Sequence, residues 1–220
     1  MEDLTYKKPL PCKYLELIVE AMKKVKKEFK EIDNARISDN EQTNQDKEKH
    51  TYRERVYCYE LYHIMRSIQE GYIDSDKFKN IDTTFAINGE IDKRGHDFII
   101  NSYNPDFVIH KHGNMNDNLC VVEVKINYSK SGLHKDFNTL SDMINNYKYK
   151  YGVFISIGID INMVVDIIND ENEHKSLNQC SDKIFVFSQI NRTDTKVDIY
   201  RLDDLLKKRG ENEYRISQKI

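Results

Sequence analysis

The chain has 220 residues, 39% of them hydrophobic and 32% charged, with 34 Lys and Arg against 37 Asp and Glu for a formal net charge of −3. That length fits one ordinary domain with decorations, and the balance suits a globular protein with a highly charged surface but no global positive field to recruit nucleic acid. No apolar run approaches membrane-spanning length and Met1 to Pro11 lack the hydrophobic core of a signal peptide, so an intracellular, cytoplasmic protein is expected.

Apolar residues Tyr14, Ile18, Met22, Val25, Phe29 and Ile32 recur at helical spacing and predict one amphipathic helix to about Ile32. Lys23, Lys24, Lys26, Lys27 and Lys30 occupy its other side and read as a solvated face, since Glu28 and Glu31 dilute the charge. Asn34 to His50 is polar throughout and reads as a linker, so residues 1–50 are expected as an N-terminal helix and linker ahead of a domain spanning 51–220. A second helix is predicted from Thr51 to Gln69 with Gly71 as its C-cap. Tyr57, Leu61, Ile64 and Ile68 form its apolar stripe, and Glu54 lies at the N-terminal end of that stripe. A carboxylate there is unusual; the plain reading is an acid favoured by the helix dipole, worth about 1 kcal/mol at most.

Thr83 to Ile87 and Phe98 to Ile100 are strand-like, with Asn88-Gly89 and Arg94-Gly95 as alternative turns. Ser129 to Gly132 reads as a loop, followed by a helix carrying Phe137, Leu140, Ile144 and Tyr147 with Asp136 as its cap. Tyr151 to Gly158 predicts a buried strand, Met163 to Ile168 a helix, and Ile184 to Ile190 another strand, with Val197 to Leu202 a candidate extension of the sheet. Lys207, Lys208 and Arg209 before Gly210 read as a cationic helix end. The four cysteines, Cys12, Cys58, Cys120 and Cys180, are far apart and form no Cys-x-x-Cys pair, as in a reduced chain without a zinc site.

Asn104 to Ile126 carries the chemistry. Leu119 to Ile126 is too short and β-branched for a core helix and fits a buried strand, yet Glu123 and Lys125 interrupt it. Alternation puts Val121, Glu123 and Lys125 on one face and Cys120, Val122, Val124 and Ile126 on the other. A buried carboxylate needs a cation, whether a side chain, a metal or both. Upstream, Pro105 suits the start of a strand because it lacks a donor. Asp106 then opens the run Phe107, Val108, Ile109, and the turn through Gly113 and Asn118 returns the chain so that Asp106 comes near Glu123. A hard divalent cation would satisfy such carboxylates and make a bound water more acidic. Asp106, Glu123 and the backbone carbonyl of Val124 are oxygen ligands suited to Mg²⁺ or Mn²⁺, with Lys125 within reach of the same water.

Pro105-Asp106 followed by Glu123-Val124-Lys125 resembles the signature of the PD-(D/E)XK nuclease superfamily, over Tyr52 to Ile159. The resemblance implies a restriction-endonuclease-like fold: a mixed central β-sheet flanked by helices in an αβββαβ core, here with an added N-terminal helix and C-terminal strands. It implies a Mg²⁺-dependent nuclease in which Asp106 and Glu123 bind metal and Lys125 orients or activates water. A Glu on the helix preceding the sheet often completes the metal site, a position that Glu54 matches best, with Glu60 as the competitor on another face. The family often has Asp-x-x-Lys-Leu at the following helix; this chain has Asp136 and Leu140 but Thr139 in place of the Lys.

DNA is the substrate expected by resemblance alone, and the resemblance leaves room for a homodimer or a partner protein. Two further readings stand beside the enzyme: a noncatalytic nucleic-acid-binding or assembly subunit, and a defence nuclease silent until a partner or nucleotide signal arrives. His110 and His112, which would share the face of Asp106, are a weaker pair for a softer metal; a phosphate contact or a strand cap suits His110 better. Tyr147, Tyr149 and Tyr151, interleaved with Lys148 and Lys150, fit single-strand stacking less well than core packing.

Overall fold

The computed structural model describes residues 5–30, 54–89, 104–113, 116–168 and 176–206. The predicted linker Asn34 to His50, the helix start Thr51 to Arg53, the Arg94-Gly95 turn, the strand Phe98 to Ile100 and the cationic end Lys207 to Gly210 lie outside these residues, as does Ile32.

Helix α1 (Lys13–Lys24) buries Tyr14, Leu15, Leu17, Ile18, Ala21 and Met22. The predicted helix to Ile32 is broken: Val25 is buried and takes an extended backbone with ψ 119, after which a short turn, α2 (Lys27–Lys30), resumes. The break shifts the helical phase, so Lys30 is not on the solvated face as expected. It is buried, with Nζ donating to the Asp194 carbonyl at 3.4 Å. Lys23, Lys24, Lys26 and Lys27 are exposed.

Helix α3 (Glu54–Gln69) presents Tyr57, Cys58, Leu61, Ile64, Met65 and Ile68 to the core. It ends as its sequence suggests: Gly71 has φ +79, its N–H donates to the Ile68 carbonyl at 3.2 Å and Tyr72 N–H donates to Ser67 at 2.9 Å. The Tyr57 hydroxyl is fully enclosed and makes no hydrogen bond among the described residues, a desolvation cost on the order of 1–3 kcal/mol. Tyr57→Phe removes that hydroxyl from a site already shaped for the ring. A stabilisation of about 1 kcal/mol is expected, read as a rise of roughly 2–4 °C in the thermal midpoint. A lower midpoint would mean that the hydroxyl has a partner after all.

Among the described residues six strands form one sheet in sequence order: β1 (Ala86–Gly89), β2 (Phe107–His110), β3 (Asn118–Lys125), β4 (Tyr151–Ile157), β5 (Ile184–Gln189) and β6 (Asp198–Arg201). β1, β2 and β3 run antiparallel, β3 to β5 are parallel, and β6 returns antiparallel on β5. The first strand starts later than Thr83, because the Asp82 carboxylate accepts from the N–H of Thr84 at 3.0 Å and from its hydroxyl at 2.6 Å, closing a turn. Asn88-Gly89 is not a turn. It belongs to β1, opposite Val108 and Phe107, where the Asn88 amide meets His110 Nε2 at 2.8 Å.

One face of the sheet packs on α1 and α3 through Cys120, Val122, Val124, Ile126, Val153, Ile155 and Phe187. The other, through Val121, Phe154, Ile184 and Val186, packs on α4 (Lys130–Asn145) and α5 (Ile161–Ile168). The protein is therefore α/β, with a mixed sheet between two helical layers. Ser129 to Gly132 is not a loop but the start of α4: Ser129 is the N-cap and its hydroxyl accepts from Gly132 N–H at 3.2 Å. This earlier start moves Asp136 from the cap to the second turn, on the buried stripe with Leu133, Phe137 and Leu140. Tyr149 is buried and Tyr147 and Tyr151 pack on the core, so these rings do not form an exposed stacking row. Among the described residues no helix is long and apolar enough to cross a membrane.

Candidate active site

The antiparallel ladder between β2 and β3 ends at Phe107 opposite Val122, because Pro105 cannot donate and the chain diverges. Val124 is thus left without a β2 partner. The Asp106 carboxylate replaces it, with Oδ2 accepting from Val124 N–H at 2.7 Å. N–H and C=O of one strand residue point to the same side, so the Val124 carbonyl also looks past the end of β2 toward Asp106.

Glu123 is buried, with 6% of its surface exposed, on the α4 face of β3. Burial, together with the nearby Asp106 and Asp136 carboxyls, pushes it well above the usual carboxylate range. Asp106 is pushed up to about 6 by burial, against the Val124 N–H and a hydrogen bond from the Glu123 carboxyl, which lower it.

Lys125 projects at the end of β3, where it reaches both helical layers. Its Nζ lies 3.2 Å from Glu54 Oε1 on α3 and 3.2 Å from Asp136 Oδ2 on α4, the second as an ion pair that is not aligned as a hydrogen bond. Burial alone would lower the ammonium, but Asp136 and Glu54 outweigh it and hold Lys125 above its ordinary value. Asp136 is itself pushed up to about 6 by burial despite the pull of Lys125. Glu54 also ties down the strand end, with Oε2 accepting from Ile126 N–H at 3.4 Å.

The four residues singled out in the sequence, Glu54, Asp106, Glu123 and Lys125, thus meet at one place. Glu60 does not join them: it is six residues further along α3, roughly 9 Å along the axis. His110 is four residues beyond Asp106, roughly 13 Å along the strand, and is bonded to Asn88, while His112 is exposed, so this pair lies away from the carboxylates. Asp136 is the residue that sequence reasoning missed. Its spacing from Leu133 and Leu140, three back and four on, placed it on an apolar helical stripe, and that was the available signal.

Asp106, Glu123 and the Val124 carbonyl offer hard oxygen donors, while Glu54 and Asp136 are engaged by Lys125. Among the described residues no group of three or more His, Cys, Asp or Glu side chains is already arranged around a metal position.

Fold and site together define an α/β protein with four carboxyl groups gathered around one lysine at the rim of a mixed sheet. No protein-family model, curated protein or solved structure matches the chain.

Proposed function

We propose that the protein is a metal-dependent nuclease that hydrolyses phosphodiester bonds, with DNA as the favoured substrate. In this reading α3, β1 to β3, α4 and β4 are a restriction-endonuclease-like core of the PD-(D/E)XK superfamily. The observation that carries it is the Lys125 ammonium, anchored between Glu54 and Asp136 beside half-buried Asp106 and buried Glu123.

Three raised carboxyls crowd beside Lys125, and the further pull of Lys135 on Glu123 does not offset its burial, an arrangement unfavourable for a chain that has only folding to serve. Hard oxygen donors under such mutual repulsion fit Mg²⁺ or Mn²⁺, which Asp106, Glu123 and the Val124 carbonyl would hold, with Glu54 assisting. The ion would supply charge stabilisation at the phosphoryl group and a more acidic water. Lys125 orients the attacking water and stabilises the negative charge that develops on the phosphoryl oxygens. Glu54 and Asp136 hold the lysine from two sides, so its position is set before substrate arrives.

The test is cleavage of plasmid, linear duplex, single-stranded and branched DNA and of RNA in Mg²⁺, Mn²⁺ or EDTA. Cleavage is expected in either metal and absent in EDTA. If no substrate is cut in either metal, the catalytic reading of the isolated chain is lost, and the binding subunit or the partner-activated nuclease takes its place.

A further inference from the structure

The rim of the sheet carries a second cation, on the turn between β5 and β6. That turn is tied internally: the Asn191 side-chain oxygen accepts from Thr193 N–H at 3.0 Å and from its hydroxyl at 2.7 Å, and Asp194 N–H donates to the Asn191 carbonyl at 3.1 Å. Two buried side chains, Gln189 and Lys30, donate to the Asp194 carbonyl from below. Held in this way, the turn folds Arg192 back across the end of β4, where Nη2 donates to the Ile126 carbonyl at 2.8 Å.

The crossing depends on Gly158, the residue after β4. A Cβ at Gly158 would stand 2.4 Å from the Arg192 Cζ, 2.6 Å from Nη2 and 2.7 Å from Nε. Gly158 has φ +69, and its N–H donates to the Gln189 carbonyl at 2.9 Å, which ties the end of β4 to β5. The absent side chain leaves a cradle that the guanidinium fills.

Ile126 directly follows Lys125, and both its peptide groups are held: the N–H by Glu54 at 3.4 Å and the carbonyl by Arg192 at 2.8 Å. We propose that Arg192, seated on Gly158, is a positioning residue that fixes the end of β3 and so keeps Lys125 aligned with Glu54 and Asp136. The kinetic consequence rests on the nuclease reading; the restraint on Ile126 does not.

The test compares Arg192→Met, Arg192→Lys and Gly158→Ala in the full chain. Gly158→Ala keeps the arginine and its charge and displaces the flexible guanidinium, but it also strains a backbone at φ +69, so its effect is read as that of Arg192 only where Arg192→Met shows the same change. With the substrate cut by the wild type, kcat is expected to fall about 10- to 100-fold in Arg192→Met and Gly158→Ala with KM unchanged, and to recover in part in Arg192→Lys. Amide exchange of Ile126 is expected to speed up in the first two proteins. Unchanged kcat and unchanged Ile126 exchange in both would overturn the proposal, as would a raised KM at constant kcat, which would make Arg192 a substrate-binding group. If the wild type cuts nothing, the nuclease reading fails by itself, and Ile126 exchange alone decides whether Arg192 holds the strand end. Should Arg192→Met not fold, Arg192→Lys takes its place in the comparison.

Discussion

Asp106→Asn and Lys125→Ala proteins are each expected to lose metal-dependent cleavage, with kcat lower by on the order of 10²- to 10⁴-fold. The two substitutions act differently on the fold, and that difference makes the pair informative. An asparagine at 106 can still accept the Val124 N–H that Asp106 takes at 2.7 Å, so the end of the β2 and β3 ladder remains capped while the anionic ligand is lost. Asp106→Asn should therefore remain folded and inactive, and its thermal midpoint should no longer rise on addition of Mg²⁺. Lys125→Ala leaves Asp136, whose side chain is 6% exposed, facing Glu54 without the intervening ammonium. Removing one partner of a buried pair costs roughly 3–5 kcal/mol, so this protein should be destabilised as well as inactive. Activity within a few-fold of wild type in folded Asp106→Asn would remove Asp106 from the chemistry.

Glu123→Gln is expected to stabilise the metal-free protein while abolishing cleavage. Glu123 is buried against Asp106 and Asp136, and the Asp106 and Asp136 carboxyls are both pushed up to about 6 by burial. An acid whose folded pKa is raised binds protons more readily in the folded state. Stability is thus highest below the unfolded value and falls as pH rises through the folded one. For Asp106 the rise from 3.8 to about 6 corresponds to roughly 3 kcal/mol lost at neutral pH. The metal-free wild type should accordingly be more stable near pH 5 than at pH 7.5.

A glutamine at 123 keeps the volume and can donate to Asp106 as the protonated carboxyl does, but adds no charge. A higher thermal midpoint than wild type is expected at pH 7.5, with a smaller gain at pH 5. The groups around the site that set this profile are Glu54, Asp106, Lys125, Lys135 and Asp136. On the proposed reading, Mg²⁺ held by Asp106 and Glu123 would displace their protons, so its stabilisation of the wild type should grow from pH 6 to pH 8. A Glu123→Gln protein less stable than wild type at pH 7.5 in EDTA would show that Glu123 serves the fold and not a ligand.

What the sequence by itself determined is local and periodic. Strand alternation assigned Glu123 and Lys125 to one face of β3, helical spacing put Glu54 on the stripe of α3, and Gly71 marked its end; each depends on residues within one or two turns or pleats of each other. The same signals also marked β2, β3, α4 and β4. Where the reading failed, the competing cause was also local but specific: Ser129 capped α4 about two turns before Asp136, Val25 went extended, and Asn88-Gly89 paired in a strand although its composition suits a turn.

Tertiary structure alone decided which charges from the helical layers meet those of the β2 and β3 pair. Glu54 and Lys125 are 71 residues apart and Arg192 and Ile126 are 66 apart. No spacing in the chain encodes that α3 and α4 approach the same end of β3 from opposite layers. Asp136 became part of the site because α4 lies across β3 and β4 with that stripe inward, and the ladder stopped at Phe107 so that a carboxylate took the place of a strand. Periodicity sets the face that each side chain occupies, whereas the packing of layers sets its partner across the sheet.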